Sequence, residues 1–132
     1  MKYLSDYTSE AQTELFKTTG AIFAFSQKQF DEQKQNGVKY VLVGAGLICP
    51  KTNIDDLHDG LESIQAAGMS ADISENGVKA IIHRELANHE AQITCSCSDT
   101  IDALADYPDI TPEMIRAEYP AYFDHCVDND LF

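Results

Sequence analysis

Apolar residues recur at helical spacing along most of the chain and at strand spacing in the stretch around residues 38–49. The sharpest helical stripe is Val78, Ile81, Ile82 and Leu86, which cover one face of a 100° wheel. Glu85 and His89 fall within that face, one turn apart. A carboxylate and an imidazole on an apolar stripe need partners, so a structural polar pair of Glu85 with His89 is expected. Ser74 is the expected cap of this helix, and Asn88 lies near its end.

Ahead of it, residues 9–18 read as a helix with Ala11, Leu15 and Phe16 on its apolar side and Gly20 as its stop. Residues 21–25, AIFAF, read as a short strand or a buried turn. Ser26 with Gln29 has capping-box spacing, opening a mostly polar helix that ends near Asn36 and Gly37. Residues 38–44, VKYVLVG, form the best strand, and residues 47–49 resume it until Pro50. The GAG between them lacks the third glycine, the Lys-Ser/Thr tail and the following helix of a phosphate loop, so a bulge or tight turn is expected. Ile54, Leu57, Leu61 and Ile64 predict a helix over 54–67 that Gly68 closes, weakened by roughly 1 kcal/mol at Gly60. Residues 69–74 read as a connector and 92–97 as an extended stretch or loop. A short helix starts at Ser98, with Ile101 and Leu104 inward. Thr111 and Pro112 open the last helix, with Met114, Ile115 and Tyr119 as its buried side and a break at Pro120.

These elements predict an α+β fold: one helix-rich compact domain over residues 1–132, with a small sheet of two to three short strands. Its 132 residues can close a core without disulfides. No apolar run approaches the length of a membrane span, and the first twelve residues have no secretory h-region. Four cysteines without an export signal read as reduced thiols, which implies a cytoplasmic protein.

Charge changes the picture more than composition does. The chain carries −13, and residues 85–132 hold eleven acids against one base, Arg116, or −10 of that total. Such a chain repels nucleic acid and anionic membrane and attracts basic protein surfaces. Asp99, Asp102, Asp106, Asp109, Glu113 and Glu118 recur every three to five residues along short helices, so they are the candidate partner-binding residues. At that spacing they resemble the regular charges of a nucleic-acid backbone, and a complex built on them weakens with salt. The bland alternative is a solubilising acidic shell.

Other chemistry is thinly represented. Cys95 and Cys97 lie near His89, and His125 and Cys126 follow later, but Cys-x-Cys is not the paired knuckle of a structural zinc site. No metal or cofactor is assigned on this pattern. A nucleophile can be drawn from Cys95, His89 and Glu85, yet no elbow or glycine-rich oxyanion loop accompanies it. A metal-binding or small hydrolytic protein centred on Glu85, His89, Cys95 and Cys97 remains the alternative to a non-enzymatic protein. His58 and His83 read as solvent-facing.

Two segments carry a resemblance. FAFSQKQF, residues 23–30, and ELANHEAQIT with SDTIDAL, residues 85–94 and 98–104, resemble small uncharacterised phage and prophage proteins. These share an AFS-x-x-QF segment and an NHE…T…DT-x-DAL segment. The matching positions are Phe25, Ser26, Gln29, Phe30, Asn88, His89, Glu90, Thr94, Asp99, Thr100 and Leu104, with a departure at Cys95 and Cys97. The resemblance implies a phage setting without implying a reaction. Small acidic phage proteins of this class include inhibitors of host defence, among them anti-CRISPR proteins, whose targets hold guide RNA and DNA in basic channels. The function expected from charge and setting together is that of a non-enzymatic inhibitor. It would act in the host cytoplasm on a protein with a basic nucleic-acid-binding surface, without binding nucleic acid or membrane itself.

Overall fold

A computed structural model describes residues 1–132. It is an α+β chain of seven α-helices and one three-stranded antiparallel sheet. Its contacts gather into two compact units, Met1–Met69 and Ser70–Phe132. No helix is long and apolar enough to cross a membrane.

The first unit opens with α1 (Leu4–Thr19), five residues earlier than the apolar stripe alone predicts. Asp6 explains the early start, because its carboxylate accepts the Tyr3 N–H at 2.8 Å and satisfies a donor at the helix entrance. Gly20 ends the helix in the left-handed conformation, φ 74°. Strand β1 (Ile22–Phe23) follows, then α2 (Gln27–Gln33), capped by Ser26 Oγ accepting from the Gln29 N–H at 3.2 Å. This helix stops three residues short of Asn36. β2 (Tyr40–Gly44) and β3 (Leu47–Pro50) form a hairpin in the order β1-β3-β2. Ala45 and Gly46 turn it, both at positive φ, and a register shift between Leu42 and Gly44 supplies the expected irregularity. Leu47 and Cys49 point into the core with Leu57, and Leu15, Phe16, Val43 and Leu61 pack against them.

The largest departure from the sequence reading is α3 (Ile54–Asn76), which runs straight through Gly68 and absorbs the supposed connector at 69–74. Ser74 is therefore inside α3, and the junction to α4 is Gly77 at φ 81°. Gly60 and Gly68 are packing positions rather than stops. A Cβ at Gly60 would stand 2.6 Å from a Leu15 methyl, and one at Gly68 would stand 2.5 Å from the Thr8 methyl. Their bareness lets α1 lie close against α3. Gly68→Ala is accordingly expected to lose about 1–3 kcal/mol through overpacking, despite the gain of roughly 1 kcal/mol in helix propensity. A urea titration followed by far-UV circular dichroism measures this, and a stabilised variant would contradict the packing role.

The second unit comprises the end of α3, then α4 (Val78–Asn88), α5 (Ala91–Thr94), α6 (Ser98–Ala103) and α7 (Pro112–Asp128). α5 occupies part of the stretch expected as extended or loop, set off by left-handed residues Glu90 and Cys95. Thr111 caps α7 as expected, its hydroxyl accepting from the Met114 N–H at 3.3 Å. Pro120 does not break α7. It and Arg116, whose carbonyl loses its helical donor, are both exposed, so water can serve that carbonyl. The buried side of α7 is Ile115, Tyr122 and Cys126; Met114 is exposed and Tyr119 half-buried. Ile81, Ile82, Leu86, Ala91, Leu104, Tyr107 and Ile110 complete the buried apolar set of this unit.

Candidate functional site

The charged side chains of the second unit divide into a buried network and an exposed array. The network centres on Arg84, which α4 turns inward together with Ile81, Ile82 and Leu86. Its Nη1 and Nη2 donate to the two Asp72 oxygens at 2.9 and 3.0 Å, a fork-to-fork pair. Its Nε donates to Glu85 Oε1 at 3.0 Å. The Tyr107 hydroxyl donates to Asp72 Oδ2 at 2.5 Å and the Asn76 amide to Oδ1 at 2.8 Å. Every buried side-chain nitrogen and oxygen has a partner. Such completeness is what a charge in a dry interior requires.

The acid–base consequences follow from this geometry. Burial by itself would raise the Asp72 pKa, but the bonds from Arg84, Tyr107 and Asn76 outweigh it and hold the carboxyl below its ordinary value. Burial likewise opposes the Arg84 charge, and the bonds to Asp72 and Glu85 more than compensate. Tyr107 is pushed up, first by burial and then by its bond to Asp72. All three groups are therefore locked in their ordinary neutral-pH charge states. A proton carrier needs the opposite, a pKa brought toward the working pH.

Glu85 and His89 are brought together, with Glu85 Oε2 at 3.6 Å from His89 Nε2 and at 3.3 Å from the Asn88 amide nitrogen. Glu85 is thus shared between His89 and Arg84. Its backbone carbonyl accepts from the fully buried Thr100 hydroxyl at 3.3 Å, which ties α4 to α6. Cys95 is exposed at a left-handed residue, and Cys97 is half-buried with its thiol pushed up by burial. Cys126 is buried in α7. No three His, Cys, Asp or Glu side chains come together as a metal-sized group.

The exposed array lies on α6, the following turn and the start of α7. Asp99, Asp102, Asp106, Asp109 and Glu113 are exposed and none makes an ion pair, while Thr100, Leu104, Tyr107 and Ile110 alternate with them as buried anchors. Glu118 differs from the other five. It is half-buried and meets His83 Nε2 at 2.7 Å, bridging α4 and α7, so His83 is not the solvent-facing residue its helix position predicts.

A family model described as a family of unknown function (DUF7659) matches residues 4–125. The chain belongs to this DUF7659 family. No curated protein and no solved structure matches the chain. The span of the DUF7659 match takes in the whole Asp72–Arg84–Tyr107 network and all six acids from Asp99 to Glu118.

Asp72, Arg84 and Tyr107 are the site residues that the sequence reading misses. One signal could have found Asp72. Leu57, Leu61, Ile64, Gly68 and Asp72 continue a single helical period once Gly68 is allowed inside the helix. Arg84 has no comparable signal, since an arginine beside a glutamate reads equally well as surface.

Proposed function

We propose that this chain is a non-enzymatic, acidic, phage-encoded inhibitor of a host defence complex that handles nucleic acid, acting in the host cytoplasm as an anti-CRISPR protein does. It occupies a basic surface of its target and thereby stands in for the nucleic acid. The observation that carries this reading is the run of five exposed, unpaired carboxylates from Asp99 to Glu113, mounted on buried anchors. Residues 70–132 hold thirteen acids and three bases, a balance of −10. Arg84, one of those bases, is spent inside the network, which leaves Lys79 and Arg116 as the only exposed cations of that unit. An uncompensated field of this kind steers basic partners and rejects nucleic acid. Glu118, held by His83, contributes at the margin of the surface.

The test is capture from bacterial lysate on the immobilised chain at low and at high salt, followed by competition with DNA and RNA. The expected captured protein is a nucleic-acid binder that elutes with salt and is displaced by its own nucleic acid. A captured partner that nucleic acid fails to displace would overturn mimicry.

A further inference from the structure

One segment of the first unit has the opposite charge balance. Residues 20–51 hold Lys28, Lys34, Lys39 and Lys51 against Asp31 and Glu32, a local +2 in a chain of −13. The same segment exposes large apolar side chains, with Phe25 74% and Leu42 68% accessible. Phe25, Phe30, Tyr40, Leu42 and Ile48 line an open groove of about 380 Å³ between α2 and the outer face of the sheet.

The two edges of this sheet are not equivalent. At β1, Gln33 Nε2 donates to the Phe23 carbonyl at 2.9 Å, and Gln29 Oε1 accepts the nearby Phe25 N–H at 2.7 Å, so side chains of α2 close that edge. At β2 the hydrogen-bond pattern leaves the edge open. Lys51 N–H donates to the Lys39 carbonyl at 2.8 Å, and Pro50, opposite Tyr40, has no N–H. Tyr40–Pro50 and Leu42–Ile48 are therefore the non-hydrogen-bonded pairs of the antiparallel ladder, and the main-chain groups of Tyr40 and Leu42 point away from β3. An edge that presents free N–H and C=O groups beside an apolar groove is built to take another strand.

We propose that the β2 edge receives an extended segment of a partner protein as a fourth strand, with one large apolar side chain seated in the groove and a carboxylate facing Lys39. Charge selects that occupant. The Lys34 ammonium, 5.7 Å from the centre of the Phe30 ring in the groove wall, is paired with Asp31 at 3.3 Å, whereas Lys39, which directly precedes the open edge, makes no ion pair. A second copy pairing through the same edge would bring like charge to like charge. The protein then has two docking surfaces of opposite character, one for a basic target and one for an acidic, apolar segment.

The probe is a fluorescent seven-residue peptide alternating aspartate with valine and phenylalanine, read by anisotropy against counterparts carrying lysine for aspartate or a central proline. The expected result is binding of the acidic peptide alone. It should be weakened about ten-fold or more by Leu42→Glu and by Lys39→Glu, as expected for loss of an apolar anchor or an electrostatic partner. Slowed hydrogen exchange at the Tyr40 and Leu42 amides should accompany binding. Leu42 is exposed, so its variant keeps the fold. Equal binding of the lysine peptide, unchanged affinity of Leu42→Glu, or exchange unaltered at those two amides would overturn the proposal. Dimerisation that Leu42→Glu abolishes would overturn it in favour of a second copy.

Discussion

Asp72→Asn is expected to destabilise the second unit by about 3–5 kcal/mol, the usual result of removing one member of a buried ion pair. The asparagine matches the aspartate in shape, so the loss is electrostatic rather than a cavity. Arg84 keeps its charge in a position where its side chain is 4% accessible, and Glu85 alone must answer it. The Tyr107 hydroxyl also loses an ionised acceptor. Replacing both ends, as in Asp72→Leu with Arg84→Met, is expected to recover most of the loss, because two apolar groups leave nothing unpaired. Hydrogen exchange of the α4 and α7 amides measures the effect where it arises. A single variant as stable as the parent would show that the pair carries no net cost when broken.

The same pair dictates the acid limb of stability. The Asp72 pKa is lower in the folded chain than in the unfolded one. Its contribution is therefore complete above the unfolded value near 4, and it disappears as pH falls through the lower folded value. The parent is expected to lose stability below about pH 4 more steeply than the Asp72→Leu/Arg84→Met variant, whose corresponding positions do not titrate. Parallel acid limbs in thermal melts at several pH values would remove Asp72 from the account.

How much of this was legible in the sequence depends on whether local pattern or tertiary packing decides each feature. The hairpin was legible because β-branched residues and the glycines around Ala45 leave few alternatives, and the structure has strand, turn and strand there. The Thr111–Pro112 start of α7 was legible for the same local reason. Gly68 and Pro120 misled because their local propensities are overridden. Gly68 is kept inside a helix by the approach of Thr8, and Pro120 is tolerated at an exposed position, as is Arg116, whose carbonyl lacks its helical donor. Misplacing the end of α3 also hid Asp72, and with it the partner that makes a buried Arg84 tolerable. Glu85 and His89 were visible from spacing alone, yet their connection to Arg84 was not. Spacing alone presents the six candidate acids as one row. The structure leaves five unpaired and ties Glu118 to His83, a distinction that needs the packing of α4 on α7.

Simultaneous replacement of Asp99, Asp102 and Asp106 by lysine is expected to weaken capture of the basic target about 100-fold or more, given coupling energies of roughly 1.5–7 kcal/mol for close interfacial charge pairs. All three are exposed, so the fold should survive. The main internal cost falls at Asp99, in the first turn of α6, where a cation opposes the helix dipole by about 0.3–1 kcal/mol. Lost affinity could still reflect net charge, since the change is +6 wherever it is made. The control is Asp124→Lys, Asp128→Lys and Asp130→Lys, which shifts the net charge equally at the far end of α7 and beyond. If the α6 carboxylates touch the target, the two triple variants should differ by at least ten-fold at equal ionic strength, and the difference should persist when salt screens the general field. If they weaken binding equally, the acids act as a diffuse shell and the docking surface does not exist.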